Sequence, residues 1–67
     1  VMIKRDGICE LAGVWPGGEV RCIDAVGRQL WRKVADNDTF EFVEPEGFYL
    51  LQVTDGEKSC VVKGVRN

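Results

Sequence analysis

Apolar and polar residues alternate along most of this chain, and glycine, proline, aspartate or asparagine interrupts the alternation every few positions. A period of two with frequent punctuation predicts short β-strands joined by tight turns, and no helix. Residues 1–4 are expected as a first extended arm closed by Arg5-Asp6-Gly7, since Asp-Gly is a strong hairpin dipeptide, with 8–11 returning. Trp15-Pro16-Gly17-Gly18 is a breaker that neither a helix nor a central strand tolerates. Residues 19–25 form the next run, with Val20 and Cys22 on one face and Arg21 and Ile23 on the other. Val26-Gly27-Arg28 turns the chain, and Gly27 supplies the positive φ of a tight hairpin. Residues 29–35 then pair back, with Leu30 and Val34 on one face and Trp31, between Gln29 and Lys33, on the opposite one.

Asp36-Asn37-Asp38 reads as a loop. Residues 39–44 alternate next, placing Phe40 and Phe42 inward and Glu41 and Glu44 outward. After the turn Glu44-Pro45-Glu46-Gly47 comes the most apolar stretch, 48–54, expected as a central strand. Asp55-Gly56 makes a second Asp-Gly hairpin, and 57–65 is the closing strand. Strands at such short, regular spacing indicate an antiparallel sandwich or small barrel, because an open meander of this size leaves one face wet. The expected fold is all-β: a small antiparallel immunoglobulin-like β-sandwich of six to seven strands, with residues 1–67 as one domain.

Length makes that core thin. A chain of 67 residues buries only about 60% of the surface its unfolded form exposes, so its stability is expected to lean on a partner or a parent protein. A net charge of −2 is no footprint for nucleic acid. No apolar run approaches the ~18 residues of a membrane span, and the first residues lack the basic-then-apolar order of a signal peptide. Met2 follows Val1, so the chain reads as a piece of a longer polypeptide.

Little catalytic chemistry is on offer. Histidine is absent, and with it the commonest acid–base group. Cys9, Cys22 and Cys60 lie far apart without a C-x-x-C pair, which removes the usual zinc arrangements. They read as small buried hydrophobes on strands, or as one disulfide among three pairings with a thiol left over. Asp36, Asp38, Glu41, Glu44 and Glu46 concentrate acid without an intervening cation. Their spacing is not a calcium loop, and a solvated strand edge that resists aggregation is the plainer account. Trp15 and Trp31 suit either sugar stacking or packing in a thin core. Gly17-Gly18 lacks the lysine and following helix of a phosphate cradle. No enzyme and no cofactor is expected.

From Val20 to Arg66 a family comes into view. The stretch carries V-R-C-I-D-A-V-G-R, then E-G-F-Y-L-L-Q-V, then D-G-E-K-S-C-V-V-K-G-V-R. It resembles the C-terminal sorting domain of proteins exported by the bacterial type IX (Por) secretion system of Bacteroidetes. Members show a strand ending in Asp followed by Gly-Arg, matched by Asp24, Gly27 and Arg28. A Gly-x-Tyr opening an apolar strand is matched by Gly47 and Tyr49, and a final glycine-and-lysine hairpin by Gly56, Lys58 and Lys63. Gly27, Gly47 and Tyr49 also serve the fold, Tyr49 in the manner of the tyrosine corner, whose hydroxyl bonds backbone. Arg28, Lys58, Lys63 and Arg66 are the better candidates for recognition, as exposed cations able to meet an acidic partner.

The resemblance implies a non-catalytic address that takes an attached protein through the periplasm and across the outer membrane. Its partners are then the type IX translocon and a surface sortase, and its place is secreted or at the cell surface. Members open with a Tyr-Pro-Asn-Pro-like segment and a first strand, and both are expected to be missing here. That loss would expose a sheet edge and invite a homodimer by edge-strand pairing. The alternative from another class is a carbohydrate-binding or structural β-sandwich module of a secreted protein.

Overall fold

In the computed structural model, which describes residues 2–5 and 7–66, the chain forms seven antiparallel strands: β1 (Met2–Arg5), β2 (Ile8–Ala12), β3 (Glu19–Asp24), β4 (Gln29–Val34), β5 (Thr39–Val43), β6 (Gly47–Thr54) and β7 (Ser59–Arg66). They build two sheets, a three-stranded one in the order β1-β2-β5 and a four-stranded one in the order β4-β3-β6-β7. The result is the expected small antiparallel β-sandwich, of seven strands. Unlike the immunoglobulin constant-type arrangement, the fourth strand pairs beside the third rather than joining the sheet of the first two.

Alternation explains which sheet face is buried. Cys9 and Leu11 on β2, Phe40 and Phe42 on β5, Val20 and Cys22 on β3, and Tyr49, Leu51 and Val53 on β6 all point between the sheets and are buried. Trp31 projects from β4 onto β5, its ring 5.7 Å from each of Phe40 and Phe42, and Phe42 meets Tyr49 edge-on at 6.0 Å. These aromatics fill a core that aliphatic side chains alone would leave thin. Trp31 faces inward opposite the buried Cys22, and a register shift follows between Cys22 and Ile23, where Ile23 pairs with Gln29 and Leu30 is passed over.

The turns fall at two ends. At one lie the β1–β2, β3–β4 and β5–β6 connections and the end of β7. At the other lie the β2–β3, β4–β5 and β6–β7 connections. There the Trp15–Gly18 breaker is tied down by backbone bonds between Gly17 and Ala35 (2.8 Å) and between Ala35 and Gly18 (2.9 Å).

The first extended arm lies where it is expected, as β1, which pairs along β2 from Met2↔Leu11 to Arg5↔Ile8. Three expectations are corrected. Cys60 is exposed on β7 rather than buried, while Cys9 and Cys22 are buried, and all three are free thiols. Glu44 turns inward and is buried, because it shares the parity of Phe40 and Phe42. The hydroxyl of Tyr49 bonds the Glu44 side chain, not backbone. In the Asp6-Gly7 turn, Asp6 lies outside the described residues.

Candidate functional site

Residues drawn from distant parts of the chain meet at the first of the two ends. Asp24 closes the β3–β4 turn on itself. Its Oδ1 accepts from the backbone N–H groups of Val26 (3.1 Å) and Arg28 (2.9 Å), and its Oδ2 accepts from Arg28 Nε (2.9 Å). The backbone adds bonds from Asp24 N–H to Arg28 and from Gly27 N–H to Asp24. Gly27 sits at φ 89°, where a β-carbon would be strained. The N–H of Arg28, followed by its guanidinium, outweighs partial burial and holds the Asp24 carboxyl below its ordinary range. The Arg28 side chain is nonetheless 77% exposed, leaving the rest of its guanidinium facing solvent beside the turn.

That turn abuts the start of β6. Asp24 is the cross-strand partner of Tyr49, and Asp24, Val26, Arg28, Glu46, Gly47 and Phe48 line an open depression of about 250 Å³. It pairs a guanidinium and a carboxylate with exposed apolar surface.

Behind the depression lies a buried polar latch. Tyr49 is fully buried and donates from its hydroxyl to Glu44 Oε2 at 2.6 Å. Lys4 Nζ reaches the same oxygen at 2.8 Å and also donates to the carbonyl of Val65 at 2.8 Å. Arg66 donates from its guanidinium to the carbonyl of Glu44 at 3.1 Å. The Glu44 carboxylate thus ties β1 and β6 to the β5–β6 turn, while its backbone carbonyl and the Lys4 ammonium bring in β7. Burial works against its charge, but the hydrogen bonds from Lys4 and Tyr49 and the Lys4 charge prevail and keep its pKa below normal. Burial, and next the bond to Glu44, push the Tyr49 phenol far above its ordinary value, so it stays a donor. Burial, then the Glu44 charge, also raise the Cys9 thiol, the opposite of what activates a nucleophile.

Of the residues matched to sorting motifs, Asp24, Gly27, Arg28, Gly47 and Tyr49 therefore gather at one end, together with the recognition candidate Arg66. Gly56 and Lys58 stand at the other, in the β6–β7 turn, where Asp55 Oδ1 accepts from the N–H groups of Glu57 (3.0 Å) and Lys58 (2.7 Å). Lys63 is exposed on β7, on the outer face of the four-stranded sheet. Arg66 departs from a purely exposed role, since its guanidinium braces the Glu44 backbone. Among the described residues, no group of three His, Cys, Asp or Glu side chains is placed to hold a metal. The two tryptophans are half-buried against the core rather than displayed as a coplanar pair.

Three contributors escape motif matching: Glu44, Lys4 and Gly64. Glu44 carried a signal in its parity with Phe40 and Phe42. Gly64, inside an otherwise apolar strand, signals a close approach, and indeed the phenol end of Tyr49 packs against its backbone, where an added β-carbon would collide with Cζ, Cε2 and the hydroxyl. Lys4 carried none.

No family model, curated protein or solved structure matches the chain.

Proposed function

We propose that this chain is a non-catalytic C-terminal sorting domain that directs an attached protein across the outer membrane through the type IX secretion system. The observation that carries this function is the convergence of Asp24, Gly27, Arg28, Gly47, Tyr49 and Arg66, dispersed in sequence, at one end of the β-sandwich. The Asp24 clasp holds the Arg28 backbone and Nε while leaving its charge exposed, which suits a recognition element more than a catalytic one.

Recognition by the translocon and a surface sortase then runs through surface contacts and main-chain pairing. β-Addition supplies backbone hydrogen bonds with modest side-chain demand, and the outer strands β4 and β7 offer unpaired edges to it. The domain passes through the periplasm, acts at the outer membrane, and ends secreted or at the cell surface, with no role for nucleic acid.

The test is export of a periplasm-targeted reporter fused to residues 1–67 in a bacterium with a type IX system. Reporter outside the cell, dependent on the translocon, is expected. Reversing charge at Lys58 and Lys63 is expected to leave the fold intact and stop export. Retention of a wild-type fusion carrying a folded domain would overturn the proposal.

A further inference from the structure

The two outer faces of the sandwich are both apolar and are opposite in charge. On the four-stranded face, Val34, Phe48, Val61 and Val65 are between 42% and 59% exposed, and Phe48 pairs directly with Val65. Arg21, Arg32 and Lys63 stand among them. Arg21 and Arg32 are direct cross-strand partners, held by Glu19 at 2.5 Å and 3.4 Å. This face thus carries three of the nine cationic residues of an acidic chain and, in Glu19, one of its eleven acids.

The three-stranded face is its complement. Ile3, Ile8 and Val43 are between 46% and 70% exposed. Glu10 and Glu41 are direct cross-strand partners, and neither meets a cation in an ion pair among the described residues. Together with Ile3, Ile8 and the cation Arg5 they line a groove of about 250 Å³, so two acids and one cation leave this face at −1, against +2 from three cations and Glu19 on the other. Like charges placed opposite one another on a sheet are destabilising; Glu19 already offsets the arginine pair, so it is the Glu10 and Glu41 pair that a basic surface would relieve.

We propose that the occupant of each face is the other face of a second copy of this chain, so that sandwiches stack front to back. Stacking sets Glu10 and Glu41 against Arg21, Arg32 and Lys63 while removing both sets of apolar side chains from water. Strands of four and five residues give the three-stranded face a footprint of about 250 Å², so the contact is smaller than a standard interface and forms only at high concentration. A net charge as small as −2 does little to keep copies apart. Because front meets back, the contact is heterologous and does not close into a dimer. This assembly is separate from edge-strand pairing and stands beyond the sorting function.

The 67-residue chain itself is the probe, in sedimentation velocity and light scattering up to about 0.5 mM. Mass is expected to climb with concentration past that of a dimer. E10K/E41K should weaken association by about ten-fold or more, and R21E/R32E should do the same. Mixing the two variants should restore association, since each then offers the face the other has lost. Trp31 fluorescence reports the fold of every variant, and R32E/K63E replaces R21E/R32E should that pair fail to fold. A wild-type monomer throughout the range would overturn the proposal. So would a dimer of fixed mass indifferent to E10K/E41K, or variants that do not rescue one another.

Discussion

Replacing Tyr49 by Phe removes one oxygen and leaves the ring on Gly64. The deleted bond is 2.6 Å long, fully buried and directed at a charged carboxylate, the class of hydrogen bond that contributes about 1.5–3 kcal/mol. Lys4 remains on the same oxygen, so Glu44 is not orphaned and the cost should lie in the middle of that range, at about 2 kcal/mol. Domains of this size hold on the order of 3–10 kcal/mol in all, and the melting temperature should fall by roughly 8–16 °C. Urea unfolding followed by Trp31 fluorescence measures it. The pH dependence identifies the cause. Glu44 titrates below its ordinary value in the folded state, so its contribution is complete above the unfolded pKa and disappears as pH falls through the folded one. Bonds to a neutral carboxyl are about half as strong as those to a carboxylate, so the gap between wild type and Y49F should narrow in acid. A Y49F variant within about 0.5 kcal/mol of wild type at neutral pH, or one equally destabilised at every pH, would refute the role assigned to the latch.

Gly64→Ala should be worse than a typical surface change, costing about 1–3 kcal/mol or more by forcing the Tyr49 ring off the strand; combining it with Y49F should relieve it only in part, because the added β-carbon would meet ring carbons Cζ and Cε2 as well as the hydroxyl oxygen. Gly27→Ala places a β-carbon at φ 89° and should cost about 1–3 kcal/mol in the same unfolding assay. In the native protein only Cys60 should react with a thiol-specific alkylating reagent, with Cys9 and Cys22 reacting on unfolding, as mass spectrometry of quenched samples would count.

The strand plan is legible in the sequence because side-chain alternation and turn residues act locally. Phe40 and Phe42 point inward for the reason their spacing implies, and Gly27 and Gly56 take positive φ at the hairpins where they are expected. The central place of β6 also follows from its run of apolar residues. What resists reading depends on pairings between strands far apart. Glu44 is taken for a solvated acid on its residue type, although its parity is that of the two phenylalanines; only the arrival of Lys4 and Tyr49 makes burial of its charge affordable. Cys60 has the same chemistry as Cys9 and Cys22, but it sits on an outer strand where the three-stranded sheet does not cover it. Of the site, the turn half is local and readable, whereas the latch exists only once both sheets have met.

The bond from Lys4 to the carbonyl of Val65 joins residues 61 positions apart. The amine of Lys4 leaves the ribosome long before its acceptor, and Arg66, which braces Glu44, follows that acceptor. The clasp between the sheets is therefore incomplete until β7 has emerged, and closure depends on a long-range pairing, a topology that slows folding. Emergence of β7, rather than formation of any single hairpin, completes the clasp, and a nascent chain halted before Val65 should remain open and accessible to chaperones.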